Sequence, residues 1–167
     1  KEFRQLLEPL GFEPVSLKDE GIEIDVTEDG ETFAENAHIK AQAVYEICKK
    51  YNLLILEDNP YGEIRFSGED LPCIKSFDTD GIVIYAGSFS KVLAPGLRVG
   101  WCIAPKPLIA KFTAIKQTQD VHSNILAQML AYKFMTEYDF EAHLEYLRNL
   151  YVKKASLCFE LMDKHLA

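Results

Sequence analysis

The residues of this chain best suited to covalent chemistry are grouped around one lysine. Lys91 follows an apolar run, residues 82–86, and Ser88 and Ser90 lie three and one residues before it. Arg98 lies seven residues after it, beyond a turn with proline and glycine. A lysine amine can form an imine with an aldehyde, while hydroxyl groups and a guanidinium can hold a phosphate. Burial would also lower the pKa of such a lysine. The spacing fits a phosphorylated aldehyde cofactor, although a polar strand end with an exposed lysine gives the same isolated pattern.

A second candidate group lies at the end of an earlier apolar run. Asp58 follows residues 53–57, and Tyr61 comes three residues later. A pyridine cofactor acts as an electron sink only while its ring nitrogen stays protonated, which requires an anion held against it. Ligands of open α/β sheets bind at the carboxyl ends of the strands, where Asp58 would lie. The alternatives are a turn-initiating carboxylate before Asn-Pro for Asp58 and a turn aromatic for Tyr61.

These two segments carry a family resemblance. Residues 53–63 (LLILEDNPYGE) and 87–101 (GSFSK through VGW) resemble the fold-type I aminotransferases that use pyridoxal 5'-phosphate (PLP), in the class I/II group that includes aminoadipate and aromatic aminotransferases. The resemblance implies that Lys91 is the Schiff-base lysine and that Asp58 pairs with the pyridinium nitrogen. It also implies that Tyr61 reaches the phenolic oxygen of the cofactor. The phosphate ligands that it implies are Ser88, Ser90 and Arg98.

The first forty residues follow a different pattern. Residues 1–7, 11–17 and 30–41 are similar to the inosine triphosphatase family of purine nucleoside triphosphate pyrophosphatases, in which the glutamate matching Glu35 helps to bind magnesium. The later motifs of that family do not follow. The chain thus resembles a chimera, with a pyrophosphatase-like segment at 1–42 and an aminotransferase-like PLP-binding segment at 43–167, packed as one domain. A natural, very divergent aminotransferase is the alternative.

Hydrophobic periodicity predicts the elements that must position these residues. Helical spacing covers residues 2–9 and 32–50, and a final long helix is expected from Asp139 as N-cap to Leu166. Apolar runs at 53–57, 82–86 and 99–104 predict strands, the first two of a buried parallel sheet. The predicted fold class is α/β: part of a PLP-transferase-like large domain, with parallel strands, layered helices and a long C-terminal helix.

Composition excludes several function classes. The net charge of −8, with no basic face, argues against nucleic-acid binding. No long apolar run suggests membrane insertion. The cysteines are widely spaced, which favours reduced thiols and a cytoplasmic location over a disulfide framework or zinc site; they are Cys48, Cys73, Cys102 and Cys158.

Other polar residues have weaker functional patterns. Glu35 and His38 are three residues apart and could share a metal, but this spacing is more typical of a solvated helix face, so no metal site is predicted. The remaining histidines are interpreted as surface or cap residues: His122, His143 and His165. By resemblance, the helix with Lys116 lies near the interface of a homodimer.

Three functions remain open. The first is PLP-dependent amino transfer between an amino acid and a 2-oxo acid, weak or absent here because the substrate-binding arginine and the glycine-rich phosphate loop of the family have no counterpart in the chain. The second is a magnesium-dependent pyrophosphatase acting on inosine or xanthosine triphosphate. The third is a recombined α/β scaffold without catalytic activity.

Overall fold

The computed structural model describes residues 4–5, 8–11, 13–16, 19 and 26–166, so much of the helix predicted over 2–9 lies outside the described residues. The strands are β1 (Ile55–Asp58), β2 (Val83–Ser88) and β3 (Gly100–Ile103). The helices are α1 (Phe33–Lys50), α2 (Phe89–Val92), α3 (Lys106–Gln119), α4 (Ile125–Glu137) and α5 (Phe140–Leu166). Single 3-10 turns occur at Glu8–Leu10, Gly62–Ile64, Ile74–Phe77 and Pro95–Leu97. None of the helices in these ranges is both long and apolar enough to cross a membrane.

Helix α1 begins with a capping box. The Thr32 hydroxyl accepts a hydrogen bond from the Glu35 amide at 3.1 Å, and the Glu35 carboxylate accepts one from the Thr32 amide at 2.9 Å. These reciprocal bonds satisfy amides that a helix N-terminus leaves without partners. The Asn36 side chain adds two bonds to the backbone of Gly30, at 2.9 and 3.1 Å. The predicted helix over 32–50 is confirmed, and its start is specified within seven residues.

The three strands form one mixed sheet in the order β1-β2-β3. Strands β1 and β2 are parallel, with Ile55 opposite Val83 and Asp58 opposite Ala86. Strand β3 is antiparallel to β2 and places Gly100 opposite Ser88. The prediction of parallel pairing between the first two strands is therefore confirmed. Their carboxyl ends meet at one edge of the sheet, which is where α2 begins.

The core lies between α1 and one face of this sheet. Ile55, Val83 and Tyr45 are buried together, and partly buried side chains from α1 and from the turn at 74–77 pack around them. Alternation along β1 turns Leu56 to the other face, where 61% of it is exposed. The predicted burial is wrong for Leu53, Leu54 and Leu56 of the first run, which are 52%, 57% and 61% exposed, because α1 covers only the face of β1 that carries Ile55. In the second run, Val83 is buried and the residues after it are partly buried.

A buried carboxylate fixes the start of β2. The Asp78 side chain is 1% exposed and accepts hydrogen bonds from the amides of Gly81, Ile82 and Val83, at 2.8, 2.9 and 3.1 Å. The Lys75 ammonium donates a further bond at 2.6 Å. Burial by itself would raise the pKa of Asp78, but the bonds from Lys75, Ile82 and Val83 outweigh it and lower the pKa. The Asp78 carboxylate therefore holds the turn before β2 in its folded conformation.

The C-terminal helix agrees with its predicted bounds. The Asp139 carboxylate accepts a hydrogen bond from the Ala142 amide at 2.9 Å, as an N-cap does, and α5 then continues for 27 residues. Leu144 in its second turn is 1% exposed. This turn anchors α5 against the rest of the fold.

Candidate active site

Lys91 lies on α2, a single helical turn that follows β2 directly. The Ser88 hydroxyl accepts a hydrogen bond from the Ser90 amide at 3.1 Å and caps this turn. The amides of Leu93 and Ala94 both donate to the Phe89 carbonyl, at 2.9 and 3.1 Å, which closes the turn. Lys91 itself is exposed, so the burial considered for this lysine does not occur.

Tyr61 is the site residue that approaches Lys91 most clearly. The Lys91 ammonium nitrogen is 5.4 Å from the centroid of the Tyr61 ring, within the range of a cation–π contact. Tyr61 directly precedes the 3-10 turn at 62–64. The structure therefore brings together the predicted amine and the predicted phenol, although they are thirty residues apart in the sequence.

Asp58 is the last residue of β1 and pairs in register with Ala86. Two residues further along the neighbouring strand is Ser88, so alternation places Asp58 and Ser88 on the same face of the sheet. The Asn59 amide donates to the Ala86 carbonyl at 2.9 Å and extends the pairing beyond the strand. Asp58 is exposed. The carboxylate thus lies at the predicted edge, where the parallel strands end.

Arg98 is less closely associated with the other candidates. Its backbone is left-handed, with φ of 54°, and its guanidinium donates to the Pro95 carbonyl at 3.3 Å. Within the described part of the chain, this arginine is therefore bonded to its own turn. The Phe89 amide donates to the Val99 carbonyl at 3.1 Å, so the backbone after Arg98 does adjoin α2.

A cleft of about 490 Å³ opens beside Asp58. Its walls include Asn59, Tyr85 and Arg148. The Asn59 amide nitrogen donates to the Tyr85 hydroxyl at 2.9 Å, while burial raises the pKa of Tyr85. The volume lies in the range of pockets for small ligands.

Trp101 covers the strand just before the lysine turn. Its ring centroid is 5.4 Å from that of Tyr85. A Cβ atom at Gly87 would overlap the indole of Trp101, so the side chain lies directly against the glycine backbone. Glycine is required here because a close approach of the indole leaves no room for a side chain.

Two side chains of α5 support the site, and no sequence motif indicated them. His143 donates from Nε2 to the Val92 carbonyl at 2.9 Å, and Arg148 donates from Nε to the Glu63 carbonyl at 2.9 Å. The interpretation of His143 as a surface residue is wrong, because it is partly buried. The alternative interpretation as a cap agrees with its bond to the last residue of α2. The partners are 51 and 85 residues away in the sequence, so no local pattern could have indicated them.

Glu35 and His38, which were considered as a metal-binding pair, both have structural roles. The Glu35 carboxylate belongs to the capping box of α1. The His38 ring packs edge-on against Phe77, with centroids 4.8 Å apart. In the described ranges, no three histidine, cysteine or acidic side chains come close enough to hold a metal ion.

Two family models match the chain. The model described as "Aminotransferase class I and II" matches residues 37–165, and the one described as "Ham1 family" matches residues 1–60. The two matches overlap from residue 37 to residue 60. The division into segments at 42 and 43 stays a prediction.

Individual relatives agree with the longer match. The chain is 31% identical over 175 residues to an aromatic-amino-acid aminotransferase of Thermococcus litoralis, covering 92% of this chain and 42% of the relative. Among solved structures, it is similar to a kynurenine aminotransferase of Pyrococcus horikoshii in complex with PMP (TM-score 0.71, 34% identity), covering 74% of this chain and 31% of that one. It is also similar to the α-aminoadipate aminotransferase LysN of Thermus thermophilus in complex with N-(5'-phosphopyridoxyl)-L-leucine (TM-score 0.72, 32% identity), covering 76% and 33%. The chain therefore spans less than half the length of these relatives.

Proposed function

This chain belongs to the aminotransferase class I and II family, and we propose on that premise that it carries the cofactor centre of a PLP-dependent aminotransferase. The observation that carries the proposal is the placement of Lys91. It lies on the turn after β2, 5.4 Å from the Tyr61 ring. Asp58 ends the neighbouring parallel strand at the same edge of the sheet.

The chemistry of these side chains fits PLP. When bound, PLP supplies an aldehyde with which an amine can react and a ring that accepts electrons while it is protonated. Lys91 offers the amine and Asp58 the anion that would keep the ring nitrogen protonated. The Tyr61 hydroxyl would donate to the phenolic oxygen of the cofactor.

The phosphate of PLP would be held by hydroxyl groups and a guanidinium. Ser88 and Ser90 lie on either side of the β2–α2 junction, so their hydroxyls are close to the lysine along the backbone. Arg98 would have to exchange its bond to Pro95 for the phosphate. A guanidinium and a phosphate are both charged and can form two parallel hydrogen bonds, so their pairing is stronger than the single bond to a neutral carbonyl that it would replace.

The substrates of this centre would be an amino acid and a 2-oxo acid, and the working form would be a homodimer. The chain spans 31–42% of the length of the relatives above, and for a polypeptide of these residues alone we expect weak PLP binding and little amino transfer. The four cysteines are free thiols, which supports a reducing, cytoplasmic location.

The direct test is reductive trapping. The protein is mixed with PLP, its visible absorbance is recorded, and borohydride then fixes the cofactor for peptide mapping. We expect the label on Lys91 and its loss in Lys91→Ala. Lys133→Ala is the matched control, because that lysine is exposed on α4 and pairs with Glu137 at 3.0 Å. A label on other lysines with Lys91 unmodified would refute the proposal.

A magnesium-dependent nucleoside triphosphate pyrophosphatase is the second candidate, favoured by the Ham1 match over residues 1–60. Glu35 is the metal ligand predicted for that function, and its carboxylate already accepts a hydrogen bond from the Thr32 amide. We expect no release of pyrophosphate from inosine triphosphate with added magnesium. Turnover that Glu35→Gln removes would overturn this expectation, because glutamine can retain the capping bond while it loses the charge. A chain with neither activity would support the scaffold alternative.

A further inference from the structure

Helix α5 contacts the candidate site through two side chains that bond to backbone carbonyls. His143 bonds to the carbonyl of Val92, the residue after Lys91. Arg148 bonds to the carbonyl of Glu63, two residues after Tyr61. His143 and Arg148 are five residues apart on one helix, so their anchor points are separated along its axis by about 7.5 Å. One rigid element therefore holds both segments that carry the amine and the phenol.

The segments held in this way have little stability of their own. Helix α2 has four residues, and the turn after Tyr61 has three. A single helical turn is unfavourable in isolation, and the carbonyls at its C-terminal end lack partners within the helix. The bond from His143 satisfies the Val92 carbonyl at that end. Tertiary contacts must therefore supply most of the order of these two turns.

The His143 ring is itself fixed by packing. It meets the Phe134 ring edge-on, with centroids 4.9 Å apart, and stacks near Phe140 at 6.4 Å. The next residue of α5, Leu144, is 1% exposed. Val92, whose carbonyl accepts the bond from His143, is 5% exposed. Donation to a carbonyl requires the proton on Nε2, so this contact also selects the ring tautomer. The His143 ring that donates the bond to α2 therefore has little freedom to move.

We propose that His143 and Arg148 are positioning residues that set the Lys91 turn against the Tyr61 turn. The inference rests on the proposed function for its consequence at the cofactor, but its geometric content concerns the backbone alone. His143 orders α2 through the Val92 carbonyl. Arg148 orders the turn after Tyr61 through the Glu63 carbonyl. Neither side chain needs to touch the cofactor.

Hydrogen exchange of the PLP-free protein tests the backbone effect. In His143→Phe the aromatic packing is kept and the donor is lost, so the amides of Leu93 and Ala94 should exchange roughly five-fold faster. His143→Gln, which retains a donor, should restore part of the protection. In Arg148→Met, the faster exchange should occur at the Ile64 amide, which bonds to the Tyr61 carbonyl at 3.1 Å. His122→Phe is the matched control, since its ring bonds to the adjacent Ser123.

The rate at which borohydride-trapped PLP accumulates on Lys91 tests the consequence for the site. We expect this rate to fall several-fold in His143→Phe and to recover in His143→Gln, with His122→Phe unchanged. Unchanged exchange at 93–94 in His143→Phe would overturn the proposal, as would an equal change in the control. If the parent protein attaches no PLP to Lys91, the proposed function fails and the exchange arm alone decides the positioning role. If His143→Phe does not fold, exchange at the Ile64 amide in Arg148→Met tests the positioning role instead.

Discussion

Replacing Asp78 by asparagine should strongly destabilise the fold. The carboxylate is 1% exposed, and one of its oxygens, Oδ2, accepts both the Val83 amide and the Lys75 ammonium. Asparagine keeps one acceptor oxygen but places an amide donor opposite these two donors. A buried ion pair that loses one partner costs about 3–5 kcal/mol, and the partial exposure of Lys75 favours the lower figure, about 3 kcal/mol.

Urea unfolding followed by the fluorescence of Trp101 measures this change. Because urea m-values are about 1–3 kcal/mol/M, the midpoint should fall by about 1–3 M. Asp120→Asn is the matched control: its carboxylate pairs with Lys116 at 2.6 Å, but both side chains are more than 40% exposed. That variant should lose about 1 kcal/mol or less. Equal midpoints for the two variants would refute the reasoning from burial.

Three further outcomes follow from features of the fold. Because the pKa of Asp78 is lowered in the folded state, the ionised carboxylate stabilises the fold above about pH 4, and this stabilisation is lost as the pH falls further. The difference in the free energy of unfolding between parent and Asp78→Asn should therefore shrink in urea titrations at acid pH. Gly87→Ala should cost about 1–3 kcal/mol by overlap with Trp101, whereas Gly96→Ala meets nothing within 4 Å and should leave the melting temperature nearly unchanged. Thr32→Ala should cost about 1 kcal/mol through loss of the cap, and an unchanged helical circular dichroism melt would contradict that role.

The sequence predicted those features that neighbouring residues specify. Helix α5 begins after Asp139 as expected, because the cap and the first turn lie within four residues. The parallel pairing of β1 and β2 also followed from their composition. The exposure of Leu56 could not be predicted, since an apolar run does not record how many layers cover a sheet.

The candidate site shows the same division. Its motif predicted that Lys91, Asp58 and Tyr61 belong together, and the fold brings the lysine to the tyrosine. The roles of these residues in cofactor binding stay predictions. The contact of His143 with α2 could not be predicted, because a bond across 51 residues depends on tertiary packing.

The capping box of α1 has a consequence for which parts of this fold could be exchanged between proteins. The start of α1 is specified by residues 30–36, ahead of the aminotransferase match that begins at residue 37. Its packing face, which includes Tyr45, contacts strands inside that match. A helix whose start signal and packing face are separate in sequence can be inherited from two parents without losing either. Genetic exchange near this helix would therefore be tolerated more readily than exchange within the sheet, where register couples every strand to its neighbour.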